Sequence, residues 1–248
     1  MSEPKAYAIT EQPQAAAVDE EKVPLAQLGE VLDESPSLHA LMHLDYVRVK
    51  QRINRLELCT SCESKNRYQL TNAQGQELFT AEEHSCCCWR QCCGHNRPFE
   101  MVIRDFQERE VLRFERSCQC QCSCCPCCCL QSLDVYLPSG RFAGAVNQRF
   151  GWCHPMFVIL DENRQETLEI QGPCQRCACC PLCCRTVGFE IKKNDEQIGL
   201  LRKEYAGVAK ESMTNADTFY VTFPSNLSIP LKATLIGAIF LVDFMYFE

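Results

Sequence analysis

The chain has 248 residues, 46% of them hydrophobic, enough to bury one large core or two small ones. Its formal charge of −7 leaves no basic surplus to neutralise phosphates, so no nucleic-acid partner is expected. The isolated pairs Lys192-Lys193 and Arg202-Lys203 read as solvated strand ends rather than as an import signal.

Residues 1–45 carry no sustained period. Ala15-Ala16-Ala17, the acidic run Asp19-Glu20-Glu21 and prolines 4, 13, 24 and 36 describe a flexible leader, with one or two amphipathic turns over Leu38 to Leu44. The opening Met1-Ser2-Glu3-Pro4-Lys5 lacks the apolar stretch of a secretory leader, so a reducing cytosol is the expected compartment.

From about residue 50 a β-rich run, a polar turn and a second β-rich run recur five times. Tyr68–Leu70 leads through Asn72–Gly75 to Glu77–Thr80, and Phe99–Ile103 passes Arg104–Glu108 into Glu110–Phe114. Leu133–Leu137 turns at Pro138-Ser139-Gly140 into Phe142–Val146, and Met156–Leu160 turns at Asp161–Arg164 into Thr167–Ile170. Gly188–Ile191 turns at Asn194–Glu196 into Ile198–Leu201. Five hairpins, with further strands over Arg52–Leu58 and Thr218–Phe223, give about twelve antiparallel strands. Such a set favours a barrel, because closure removes exposed edges. The fold class is therefore mainly β, a twelve-stranded antiparallel barrel.

The cysteines, 22 in all, fall in patches at 59/62, 86–93, 118–129, 153 and 174–184, on the connections between hairpins. Dense thiols in a reducing compartment point to metal, redox chemistry or acylation rather than to disulfides. Cys59-x-x-Cys62, Cys174-x-x-Cys177 and Cys180-x-x-Cys183 have zinc-ligand spacing. Runs such as Cys86-Cys87-Cys88 suit one tetrahedral ion poorly, since adjacent side chains diverge. His84, His95 and His154 lie near cysteines, but no enzyme signature surrounds them, so no catalytic residue is assigned and the chain does not read as an enzyme. S-acylation fits Cys124, Cys125, Cys127, Cys128 and Cys129 best, because stable lipid anchoring takes two signals and this turn offers five. An inert, half-buried thiol patch is the plain alternative.

The C-terminal stretch, about 231–247, is apolar around most of its circumference. Its core, Leu235, Ile236, Gly237, Ala238, Ile239, Phe240, Leu241 and Val242, belongs to a run shorter than the roughly 20 residues of a spanning helix. Two placements remain open: a helix threaded through the barrel, or one inserted in a membrane as a single type II pass.

From about residue 45 to the end, the chain resembles the phospholipid scramblase family, within the tubby-like and LURP-one-related superfamily. The resemblance rests on Cys92-Cys93-Gly94 before Arg97-Pro98-Phe99, on Cys124-Cys125-Pro126-Cys127-Cys128, and on Gly172-Pro173-Cys174. It extends through Phe189-Glu190-Ile191-Lys192 and Ala216-Asp217-x-Phe219-x-Val221-x-Phe223-Pro224. It closes on Lys232-Ala233-x-Leu235-Ile236-Gly237-Ala238 and Leu241-x-Asp243-Phe244-Met245-x-Phe247-Glu248. The short, proline-poor leader departs from members with long proline-rich arms.

The resemblance implies a tubby-like barrel enclosing the C-terminal helix over 46–248, and palmitoylation of the five thiols. It also implies an EF-hand-like calcium segment at Asn215, Asp217, Phe219, Val221, Phe223 and Asn226. The residues themselves fit calcium poorly: one carboxylate, Tyr220 where a calcium loop wants glycine, and apolar side chains at alternate positions, as in a strand facing a core. The implied function is calcium-activated, ATP-independent, bidirectional movement of phospholipids across the bilayer, at the cytoplasmic face of the plasma membrane, in homo-oligomers. The rival is a palmitoylated, membrane-tethered adaptor that binds lipid or protein and transports nothing.

Overall fold

A computed structural model describes residues 36–52, 65–118, 129–174, 188–204 and 218–247. Twelve antiparallel strands close into a barrel in which each strand pairs with its neighbours in sequence and β1 pairs with β12. The strands are β1 (Tyr46–Arg52), β2 (Arg67–Thr71), β3 (Glu77–His84), β4 (Phe99–Arg104), β5 (Glu110–Arg116) and β6 (Ser132–Tyr136). They continue with β7 (Phe142–Arg149), β8 (Met156–Leu160), β9 (Glu166–Gln171), β10 (Gly188–Lys193), β11 (Glu196–Glu204) and β12 (Thr218–Thr222). The first strand begins at Tyr46, upstream of the stretch predicted from Arg52; residues 53–58 of that prediction lie outside the described residues. Val47 and Val49 face inward there and Arg48 and Lys50 outward, an alternation that two inner valines carry as well as a longer run would.

Four of the five hairpins close on the same turn. The main-chain N–H of Gly75, Glu108, Gly140 and Arg164 donates to the carbonyl three residues back, at 2.9–3.0 Å. Each of these four residues has a positive φ, between 57° and 83°. This is the three-residue turn with a left-handed last position, and the ladder shifts register beside it in every case. Side chains set it: Asn72, Asp105 and Asp161 each accept two main-chain N–H groups through Oδ1. The fifth hairpin turns on Asn194 and Asp195, both at positive φ.

Among the described residues three α-helices complete the fold: α1 (His39–Met42), following a 3-10 turn at Pro36–Leu38, α2 (Cys87–Cys93) and α3 (Ile229–Tyr246). Leu38 and Leu41 of the N-terminal segment are fully buried in the core. At about 1.5 Å per residue, the 18 residues of α3 span about 27 Å through the barrel. Every residue from Lys232 to Phe244 is buried, so Leu235 through Val242 are core on all sides. A helix this long and apolar could also cross a membrane; in this structure its whole circumference is taken up by barrel wall. Gly237 allows the approach, since a Cβ there would meet Leu133 Cδ2 at 2.9 Å.

The helix's two charged groups are buried and bonded. The Lys232 ammonium donates to the carbonyls of Leu41, Met42, Leu44 and Ser225 at 2.7–3.1 Å. The Asp243 carboxylate accepts the Tyr68 hydroxyl at 2.9 Å. An up-and-down barrel sorts its connections: the five hairpin turns lie at one rim, with α1 and the start of α3. The ends of β1, β3, β5, β7, β9 and β11 lie at the other, where α3 ends.

Candidate functional site

The described cysteines, five within 86–93 with Cys118, Cys129, Cys153 and Cys174, all lie just after or before strands on the side that follows odd-numbered strands, so the topology gathers them at one rim. Among the described residues, Cys86, Cys87, Cys88, Cys92 and Cys118 are exposed, and Cys93, Cys129, Cys153 and Cys174 half-buried. Cys124, Cys125, Cys127 and Cys128 lie outside the described residues, as do Cys59, Cys62, Cys177, Cys180 and Cys183.

The rim stands on buried polar foundations. Arg97 Nε and Nη2 donate to the two oxygens of Glu83 at 2.7 and 3.0 Å, both residues being essentially inaccessible. Burial pushes the Glu83 carboxyl up, but bonds from Arg97, Ser85 and the Asn66 N–H outweigh it and hold the group ionised, below the usual carboxylate range. The Arg97 guanidinium also lies 4.6 Å from the ring centre of Phe244 and donates to the Gly94 carbonyl, tying the end of α2 to the end of α3. Under the central cysteine cluster, buried Arg116 donates to Gln131 Oε1 at 2.7 Å, and Gln131 Nε2 donates to the Cys129 carbonyl at 3.1 Å. Gln131 and Gln148 exchange two further bonds, at 2.8 and 3.0 Å. Both feet of the cluster, Cys118 and Cys129, thus rise from a fixed base.

The three thiols of Cys86, Cys87 and Cys88 do not diverge, contrary to the expectation from their adjacency. All three sulfurs lie within 4.8 Å of one another. Cys86 stands at the N-cap of α2 in an extended conformation. The N–H groups of Cys88 and Trp89 pull its thiol pKa down, whereas hydrogen bonds with Cys87 and Cys86 push that of Cys88 up. Three ligands are one fewer than a closed structural zinc site uses.

The described members of the predicted calcium set are spread along β12 and beyond it. Phe219, Val221 and Phe223 are buried, facing the barrel interior. Phe219 and Val221 pair on both sides, with β1 and with β11, so their carbonyls lie in ladders. Asn226 is exposed in the turn before α3, at the hairpin rim. Five residues of strand span about 13 Å, whereas the oxygens around one calcium ion lie 2.3–2.6 Å from it, so this arrangement does not bring the set together. Asn215 and Asp217 lie outside the described residues.

Sequence reading missed Phe150 and Trp152. They flank Gly151 in the β7–β8 connection, their rings edge-to-face at 5.6 Å, with Trp152 80% exposed. The signal was present in the sequence, as two aromatics flanking a glycine in a six-residue connection beside Cys153.

The scramblase family profile matches residues 26–248. The chain is similar to phospholipid scramblase 1 of Homo sapiens, 42% identical over 215 residues that make up 86% of this chain and 66% of that protein. It is similar to phospholipid scramblase 1 of Rattus norvegicus at 41% over 219 residues, 88% of this chain and 64% of that protein. Phospholipid scramblase family member 5 of Homo sapiens matches at 36% over 215 residues, 86% of this chain and 78% of that protein. The chain spans about two thirds of the length of the two scramblase 1 proteins it matches.

Proposed function

The chain belongs to the scramblase family, and we propose that it carries phospholipids between the leaflets of a bilayer, in both directions and without ATP. One observation carries the reading: the family match covers every strand of the barrel and the whole of α3. The activity makes and breaks no bond in its lipid, and downhill mixing needs no nucleotide. Acyl chains on Cys124, Cys125, Cys127, Cys128 and Cys129 would hold the protein at the cytoplasmic face of the plasma membrane, each buried methylene contributing about 0.8 kcal/mol.

Carrying a headgroup across hydrocarbon is costly, about 2.5–3.5 kcal/mol even for one charged side chain. A barrel filled by its own helix offers no polar channel, so we place the lipid path outside the barrel wall, in bilayer disturbed by a homo-oligomer. Calcium is proposed as the trigger, through Asp217 with Asn215, Asn226 and main-chain oxygens of Phe219, Val221 and Phe223. Because two of these residues are paired in β12, we propose that calcium binding and release of β12 from its ladders are one event.

The filled barrel equally favours a second reading, a palmitoylated adaptor that docks on lipid or protein without moving lipid. Vesicles with one labelled leaflet separate the two. Calcium-dependent loss of leaflet asymmetry on adding the acylated protein is the expected result; binding without mixing would leave the adaptor.

A further inference from the structure

We propose that Cys86, Cys87 and Cys88 together bind one cuprous ion, Cu(I), through three thiolate sulfurs at the entry to α2. The site is separate from lipid movement and stands whether or not the chain moves lipid.

Geometry comes first. The three sulfurs lie within 4.8 Å of one another. At a metal–sulfur distance of about 2.3 Å, three sulfurs in a plane around one ion stand about 4.0 Å apart. The thiols therefore close by about 0.8 Å at most, which small rotations of three exposed side chains supply. The backbone changes from extended at Cys86 to helical at Cys87, and the sulfurs meet across that bend.

The bend is held from beneath. Arg90 Nη1 donates to the Ser85 carbonyl at 2.6 Å and to Ser85 Oγ at 2.9 Å. Ser85 Oγ in turn donates to Glu83 Oε1, and Glu83 is gripped by buried Arg97. The Arg90 N–H donates to the Cys86 carbonyl at 3.1 Å. The residue before the three thiols and the first of their carbonyls are thus tied to the buried Glu83–Arg97 pair. Donors carried on a fixed backbone lose less freedom when they close around an ion.

Donor type and number choose the ion. Soft thiolates select Cu(I), zinc or iron–sulfur clusters. A structural zinc ion and an iron–sulfur cluster each take four protein ligands. Among the described residues no fourth His, Cys, Asp or Glu atom joins this group. Cuprous copper is satisfied by three sulfurs in a plane. All three residues are exposed, so a soluble thiol such as glutathione can deliver or remove the ion without opening the barrel. Three S–H protons leave as three Cu–S bonds form, and copper stays in its +1 state, so no oxidant or reductant is consumed.

The test uses the 248-residue chain, fully reduced and loaded without oxygen with one equivalent of Cu(I) as its glutathione complex. A short pulse of N-ethylmaleimide, followed by proteolysis and mass spectrometry, reads the labelling of each thiol. Labelling of Cys86, Cys87 and Cys88 is expected to slow about tenfold, because a metal-bound sulfur is no longer a free nucleophile. Exposed Cys118 and half-buried Cys153 are expected to label as they do without copper. Bathocuproine disulfonate, a Cu(I) chelator, should restore labelling, and X-ray absorption at the copper edge should show three sulfur neighbours. Cys88→Ser should reduce that shell to two sulfurs; the labelling pattern itself needs no variant and does not depend on how one folds. No slowing at the three thiols, or equal slowing at Cys118, would overturn the site. So would a block relieved by dithiothreitol and not by the chelator, which marks a disulfide. Equal protection by one equivalent of Zn(II) would overturn the choice of copper.

Discussion

Lys232 shows how one residue can stitch together distant parts of the chain. Its ammonium serves four carbonyls, from Leu41, Met42, Leu44 and Ser225, and so fastens the N-terminal segment to the start of α3. Burial lowers its pKa to about 8, with Asp45 opposing, which leaves it charged at neutral pH. Lys232→Met keeps the bulk and strands several buried acceptors, so thermal or urea unfolding should register a loss of at least about 2 kcal/mol. At the other end, burial alone raises Tyr246 to about 12. An acid whose folded pKa lies above its unfolded value of about 10 stabilises fully below that value and loses its contribution as pH rises toward 12. Stability should therefore fall by up to about 2–3 kcal/mol over that window, and Tyr246→Phe should flatten the fall in a pH series of unfolding curves.

At the scale of elements, α3 acts as an axle fitted to its barrel. Its sequence has no polar face, yet it is held in one rotation by small residues where the wall comes close and by Tyr68–Asp243 and Arg97–Phe244 near its end. Gly237→Val should cost about 1–3 kcal/mol, since the new side chain would press on Leu133 and Val135. Unchanged melting of that variant would mean that α3 is not seated in the barrel as described. The hairpins follow simpler local rules: four have a left-handed residue at the fourth turn position, three of these with a side-chain oxygen at the first, and the fifth turns on two left-handed residues, Asn194 and Asp195.

At the scale of the molecule, closure between β1 and β12 joins the ends of the sheet, and β12 is the strand that the calcium proposal asks to move. Hydrogen exchange at the Phe219 and Val221 amides is expected to speed up with calcium, over the same concentrations that drive leaflet mixing. Mixing with unaltered protection at these two amides would mean that calcium acts elsewhere.

Hairpin strands and turns were legible because their causes are local, with Asp161 above its own turn and Gly140 at a left-handed position; β1 was placed too far downstream, because Val47 and Val49 give its alternation only two inner positions. The all-round apolarity of Leu235 to Val242 was equally plain, but a buried core and a lipid phase reward the same side chains. Only the tertiary structure, by supplying four carbonyls for Lys232 and a hydroxyl for Asp243, put that helix inside the barrel. The gathering of the described cysteines with Trp152 at one rim depended likewise on closure. Contacts between residues far apart in the chain cannot be read from periods of two or of 3.6, since those record only which face is buried and not what covers it.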